Sequence, residues 1–408
     1  MSKMTRAIGK RIKRRWKKVR KEVTAATTPK RDVFSFYEGV LGREHGMGLR
    51  ITRDNVGEGT LTWLIPDFEA GSGGHINIFR MAKLLRERGF DDQQVVVMEP
   101  HKWSSAAQAG AVANAAFNEP GIRLTLGVDS IEPCRYLMAT SWNTAYWVAK
   151  YTDALHRCYF VQDFEPMFHP VGTEHYMAER TYGLGLHGIT AGTWLADKLA
   201  DEYGMSTDAY SFSYDKHLYQ PTEKREGKNR NIFFYARPVT ERRCFDMGLL
   251  ALKRVCEEVP DTAVIFAGWD VGDYAIPFHH LNAGQLPVAQ LPDLYSQCDA
   301  ALVLSGTNLS LLPMEIAACN CPLVVNDGAN ASWLLGDNEA TYAPMTPDGL
   351  ADAMIALLRE PERAREQAER AMERARASDW GREADKVAAA LRRLDTAGAV
   401  DTLEKATA

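Results

Sequence analysis

The chain has 408 residues, 46% of them hydrophobic and 25% charged, with a formal net charge of −5. This is the composition of an ordinary globular protein with room for two domains and real cores, and its seven scattered cysteines argue against a disulfide framework. No stretch of about 18 uncharged apolar residues occurs and the basic N-terminus lacks an apolar core region or cleavage site, so neither a membrane span nor a secretory signal is expected, and cytoplasm is the default location.

Charge is uneven along the chain. Residues 1–31 hold thirteen Lys or Arg against one acid, Glu22, a local net of +12 that leaves −17 for the rest. Within this tail Met4, Ile8, Ile12, Trp16, Val19 and Val23 recur at spacings of three or four, which predicts one apolar helical face surrounded by cations. An interfacial helix on an anionic membrane, a solvated tail and a nucleic-acid arm all fit that pattern. The acidic body would repel phosphate, which disfavours nucleic acid as a partner.

From Thr60 onward the hydrophobic period keeps switching. TLTWLIPDF reads as a strand, EAGSGGH as a glycine-rich turn, INIFRMAKLLRERGF as a helix and QQVVVMEP as a strand ended by proline. YLMATSW, NTAYWVAKYTDALH, RCYFVQDFEP, HYMAERTYGLG, HGITAG and TWLADKLADEYG continue the alternation. Strands separated by helices predict a parallel sheet covered on both faces. The polar stretch QPTEKREGKNR, Gln220 to Arg230, marks a domain boundary. Beyond it NIFFYA, a helix from Glu241 to about Glu258, TAVIFAG, AIPFHHL, a helix over PVAQLPDLYSQCD, AALVLS, a helix from Pro313 and PLVVND repeat the scheme. Two doubly wound α/β domains in series should face each other across a cleft lined by the carboxyl ends of both sheets.

One acidic residue in this pattern needs a partner. In LSGTNLSLLPMEIAACNCPLVV, Pro313 suits the first turn of a helix, and Glu315 follows on the cleft side beside unpaired backbone amides. There it can accept ligand hydroxyls, or simply favour the helix dipole. Cys319 and Cys321, with no second pair at ligand spacing, read as small core residues, and no metal site is expected. In QDFEP the alternation points Asp163 and Glu165 the same way, where they either meet an acceptor or cap the following turn. His75 and His169 are candidate cleft residues or structural hydrogen-bonders.

LYSQCDAALVLSGTNLSLLPMEIAACNCPLVVND resembles the donor-binding signature of the GT-B glycosyltransferases of family four. EAGSGGHINIF, with Gly73 and Gly74, is similar to the family's glycine-rich acceptor-domain loop. YDKHLYQP is similar to the segment closing its first domain, YARPVTERRCFDMG to its basic loop, and SDWGREADKV around Trp380 to its terminal crossing helix. LIPDFEAGSGGHINIFRMAKLLRERG and FVQDFEPMFHPVGTEHYMAERTYGLGLHGITAGTWLADKL bring the WsaF-type rhamnosyltransferases of bacterial surface glycans closest.

The resemblance implies a GT-B fold: a basic tail over 1–31, an acceptor-side domain over 50–219, a nucleotide-sugar donor domain over 220–376, and a helix over 377–395 packing back on the first domain. It implies transfer of a sugar, such as rhamnose from dTDP-rhamnose, to a glycan, lipid-linked or protein acceptor, with retention and without a metal or other cofactor. Arg237 and Arg242 or Arg243 stand where the family places its diphosphate-binding pair, for which guanidinium geometry is apt, although such residues also occur in solvated loops. Glu315 would hold the nucleotide ribose, and the amides of Gly306, Thr307 and Asn308 would add donors. On the acceptor side stand His75, His169, Glu165 and Asp163, the last to orient or deprotonate a hydroxyl. One departure is Thr307, where the family usually has a second glutamate. Its absence fits a donor such as a deoxy sugar, or a weakened enzyme that only binds sugar nucleotides.

Overall fold

The switch between β and α periods has a simple structural outcome: in the computed structural model the strands pair in parallel, in two sheets. The structure describes residues 32–406 except 70, 100, 119, 120, 226 and 228, so the stripe from Met4 to Val23 lies outside the described residues. The chain divides into two units, Met1–Arg43 and Glu44–Ala408. In the first, two one-turn helices, Val33–Phe36 and Glu38–Leu41, are described. Asp32 caps the former by accepting the amides of Phe34 and Ser35 at 3.1 Å.

The second unit contains both sheets. The first lobe is built on β1 (Leu61–Ile65), β2 (Gln93–Val97), β3 (Arg123–Leu126), β4 (Cys134–Ala139), β5 (Ala154–Val161), β6 (His187–Ala191) and β7 (Thr207–Tyr210), in the order β3-β2-β1-β4-β5-β6-β7. The second lobe is built on β8 (Arg230–Tyr235), β9 (Thr262–Ala267), β10 (His280–Gly284), β11 (Ala300–Val303), β12 (Leu323–Asn326) and β13 (Thr341–Ala343), in the order β10-β9-β8-β11-β12-β13. Each order reverses once, between β1 and β4 and between β8 and β11, and ligand crevices of open α/β sheets lie at such points.

The strand β1 shows how the sequence covers both faces. Leu61, Trp63 and Ile65 enter the core shared with Ile78, Phe79, Met81 and Leu85 of the Gly73–Arg86 helix, while Leu64 points to the opposite core with Val96 and Leu137. These four apolar residues of β1 are fully buried. Each stabilises the fold by about 1.5–3 kcal/mol relative to exposure. In the second lobe the Phe245–Glu258 helix lies close on β8, because Gly248 leaves room for the Phe234 ring; a Cβ there would lie 2.1 Å from it.

The C-terminal helix, Trp380–Ala406, returns to the first lobe. Its Glu383 accepts the Ser211 amide at 2.7 Å, Asp385 binds Arg88 Nε at 2.7 Å, and Asp395 receives His156 at 2.6 Å, Tyr136 at 2.9 Å and Arg135 at 3.0 Å.

Several predicted boundaries move. Ala154–His156, read as the end of a helix, opens β5, since residues 154 and 156 pair with Cys134 and Tyr136 of β4. The helix expected from Glu241 begins at Phe245, after a 3-10 turn and a left-handed Cys244 (φ 51°). The strand expected over AIPFHHL is His280–Gly284, in register with β9 from His280.

Candidate functional site

The reversal between β8 and β11 brings two loops together: Ala236–Cys244 after β8, and Leu304–Leu311 after β11. Three guanidiniums gather there. Arg243 lines a small cavity together with Tyr235, Leu304, Ser310 and Leu312, and its Nη1 lies 2.8 Å from Ser305 Oγ. Arg237 is half-buried, its Nε 3.4 Å from Thr240 Oγ1. Arg242 is close enough to both for their like charges to disfavour its own, after burial as the main cause. Such a cluster is stable only beside anions, and one is in place: Asp163 Oδ2 lies 3.7 Å from Arg242 Nε.

Asp163 belongs to the other lobe, two residues beyond β5. Its Oδ1 accepts the Asn308 amide at 2.8 Å and the Phe164 amide at 2.8 Å, and its Oδ2 accepts Thr307 Oγ1 at 2.9 Å. Burial raises its pKa, against the pull of Arg243, the Asn308 amide, Arg242 and Thr307. The residue was expected to address an acceptor hydroxyl, but protein donors occupy both of its oxygens. Two of the three expected donor amides are also engaged, since Gly306 N–H goes to the Arg242 carbonyl at 2.8 Å and Asn308 N–H to Asp163.

Glu165 turns into the first lobe. It accepts the Trp142 amide at 2.8 Å and Tyr159 Oη at 2.7 Å, and burial pushes its carboxyl up to about 7. That is a structural environment, not an acceptor-facing one. His169 lies beyond it and pairs with Glu174 at 2.9 Å, with Trp142 edge-on at 6.0 Å.

Glu315 sits in the first turn of the Leu312–Ala318 helix, as its proline predicts. Burial pushes its carboxyl up to about 7, opposed by the Tyr219 hydroxyl bonded to it and by the Arg80 guanidinium. These are the partners that the isolated charge required. Arg80, on the first-lobe Gly73–Arg86 helix, was not singled out in the sequence, where it reads as an ordinary basic residue. Its Nη1 binds Asn77 at 2.8 Å and its Cζ lies 4.7 Å above the Trp380 ring, joining the first lobe, the crossing helix and the field at Glu315.

Gly73 and Gly74 open that same helix and are exposed. A Cβ at Gly73 would meet nothing within 4 Å, so the fold itself leaves open space there. Gly74 O accepts Gln162 Nε2 at 3.2 Å. His75 binds Ser72 Oγ through Nδ1 at 2.9 Å; its Nε2 is buried without a partner, and burial lowers its pKa to about 4, so the ring is neutral. Cys319 and Cys321 are buried free thiols between the Leu312–Ala318 helix and β12. No helix among the described residues is long and apolar enough to cross a membrane.

Comparison with known proteins places this geometry. Residues 230–355 match the family model described as WsaF, C-terminal domain. The chain is 35% identical over 339 residues to the O-antigen biosynthesis protein RfbC of Myxococcus xanthus, an alignment that covers 80% of this chain but 26% of that protein, so the chain corresponds to a minor part of that relative. Among solved structures, Anabaena HepE in complex with UDP-glucose aligns with a TM-score of 0.62 at 13% identity, covering 82% of this chain and 99% of that one. WaaG, a glycosyltransferase involved in lipopolysaccharide biosynthesis, aligns with a TM-score of 0.56 at 13% identity, covering 81% and 99%. The two parallel-sheet, Rossmann-like lobes have the architecture of GT-B glycosyltransferase structures.

Proposed function

We propose that the chain is a glycosyltransferase of surface-polysaccharide synthesis, moving a sugar from a nucleotide-diphosphate donor to a glycan acceptor. The observation that carries this reading is the group of three guanidiniums at the β8–β11 reversal, followed after β11 by a helix whose first turn holds Glu315. As the sugar leaves, charge grows on the diphosphate, and preorganised cations lower that barrier more than they stabilise the bound ground state. Arg237 and Arg243 meet the diphosphate, and Glu315 accepts the ribose hydroxyls.

The RfbC likeness and the WsaF-type match support an O-antigen-like product. The donor sugar is read as rhamnose, from dTDP-rhamnose, on the resemblance to rhamnosyltransferases and on Thr307 standing where a hexose-binding glutamate is usual. Retention and independence of metal follow from the family resemblance. Acceptors of this kind are commonly lipid-linked, and the basic stripe within residues 1–31 suits attachment to an anionic leaflet.

A panel of sugar nucleotides, scored by thermal shift and by release of nucleoside diphosphate, tests the reading. A donor at a hundred times its dissociation constant stabilises by about 2.7 kcal/mol. Stabilisation by dTDP-rhamnose above UDP-glucose, with turnover on a glycan acceptor, is expected. Binding with neither hydrolysis nor transfer would favour a sugar-nucleotide-binding protein, a reading supported by the internal engagement of the Gly306 and Asn308 amides. No stabilisation by any sugar nucleotide would overturn both.

A further inference from the structure

Asn308 belongs to the second lobe, yet both of its nitrogens are satisfied by the first. Its amide reaches Asp163 Oδ1 at 2.8 Å, and its Nδ2 reaches the carbonyls of Ala191 at 2.7 Å and Gln162 at 3.1 Å. Its Oδ1 receives Trp333 Nε1 at 2.8 Å from its own lobe. Thr307 adds its hydroxyl to Asp163 at 2.9 Å, and Arg242, 3.7 Å from the same oxygen, stacks its guanidinium 4.0 Å from the Phe168 ring of the first lobe. Thr307 and Asn308 are each 1% exposed and Asp163 8%. A carboxylate at such depth is costly unless several donors meet it, and here most of those donors come from across the seam.

We propose that Asp163 is a positioning residue: a first-lobe carboxylate that docks the Thr307–Asn308 loop of the second lobe and neutralises Arg242. Closing the lobes and shaping the donor loop are then one event. With Arg242 committed to Asp163 and Phe168, the donor diphosphate is left to Arg237 and Arg243. The role given to that diphosphate rests on the glycosyltransferase reading; the docking itself does not.

The test is hydrogen exchange of the full chain with no sugar nucleotide present, followed in peptides covering the loop 304–312 and, as a control, β1. Asp163→Ala should raise loop exchange at least tenfold and leave β1 unchanged. Asp163→Asn, which keeps one oxygen for the Asn308 amide, should raise it less. If Asp163→Ala loosens the whole chain, Thr307→Val, which removes a single cross-seam bond at nearly constant volume, decides: a rise confined to the loop supports the docking, and none refutes it. Unchanged loop exchange in Asp163→Ala also refutes it. If turnover is found, Asp163→Ala should raise KM for the donor, with Asp163→Asn recovering part of the loss. A fall in kcat alone, at constant KM and constant loop exchange, would instead restore Asp163 as the acceptor base.

Discussion

Replacing Glu315 by Gln should push apo stability and nucleotide affinity in opposite directions. Burial raises this carboxyl from 4.5 to about 7, so folding favours its neutral form. The penalty is absent below pH 4.5, grows as pH rises and is complete above about 7. At about 1.36 kcal/mol per pH unit, the wild-type chain carries a cost of at most about 3 kcal/mol at pH 8 that Glu315→Gln does not. The amide oxygen can still accept from Tyr219, so the variant should be the more stable protein at pH 8 and equal to wild type near pH 4. Ligand binding should respond the other way, because the ribose hydroxyls lose a charged acceptor worth about 1.5–3 kcal/mol, roughly a tenfold to hundredfold loss of affinity. Melting curves from pH 4 to 8.5, with and without dTDP-rhamnose and UDP-glucose, read both effects. A variant less stable than wild type by the same amount at pH 4 and pH 8 would refute the desolvation argument; unchanged nucleotide affinity would remove Glu315 from the donor site.

Three further outcomes are expected. Arg237→Ala, whose side chain makes a single hydrogen bond among the described residues, 3.4 Å to Thr240, should leave stability within about 0.5 kcal/mol while weakening UDP or dTDP binding at least tenfold by calorimetry; an unaltered dissociation constant would exclude it from the diphosphate site. Asp395→Ala should cost about 3–5 kcal/mol in denaturant titration, because the buried Arg135 loses its counter-charge along with the Tyr136 and His156 bonds. Burial works to raise the Asp395 pKa, but His156, Tyr136 and Arg135 together hold it low, so its contribution is present above the ordinary carboxylate range and is lost as pH falls through the lowered value; a pH-independent penalty down to pH 2 would contradict this. The full chain should float with anionic liposomes and release with salt, at about 1 kcal/mol per basic residue near the surface, whereas a chain starting at Asp32 should not; equal flotation of the two would exclude the basic stripe as the anchor.

The inner strands were legible because burial on both faces forces predominantly apolar runs, as in LTWLI and the valines of QQVVV. The edge strands β3 and β13, RLTL and TYA, were not, since they are short and half-exposed and carry no such run. Pro361–Ala377 escaped for a related reason: its inward face is Ala364, Gln367, Ala368, Ala371 and Ala375, too small to stand out against its many charges. At the site, the basic loop and Glu315 could be picked out by their position after strands. The partners of Asp163 lie 144 and 145 residues away, and no local spacing announces them. Arg80 was hidden for the same reason, since its importance comes from Trp380 and Glu315 and not from its own helix.

The returning C-terminal helix has a mechanical consequence. The second lobe is tied to the first by two stretches of chain, one between β7 and β8 and one ahead of Trp380, so any relative movement of the lobes has to keep both tethers joined. Trp333 adds a contact to the first lobe, its ring centroid 5.3 Å from that of Phe212. Its ring lies where a Cβ on Gly192 would come within 2.6 Å, and Gly192, at φ +94°, offers it a flat seat. Any side chain added at residue 192 would overlap this ring, so glycine there is what lets the two lobes meet this closely.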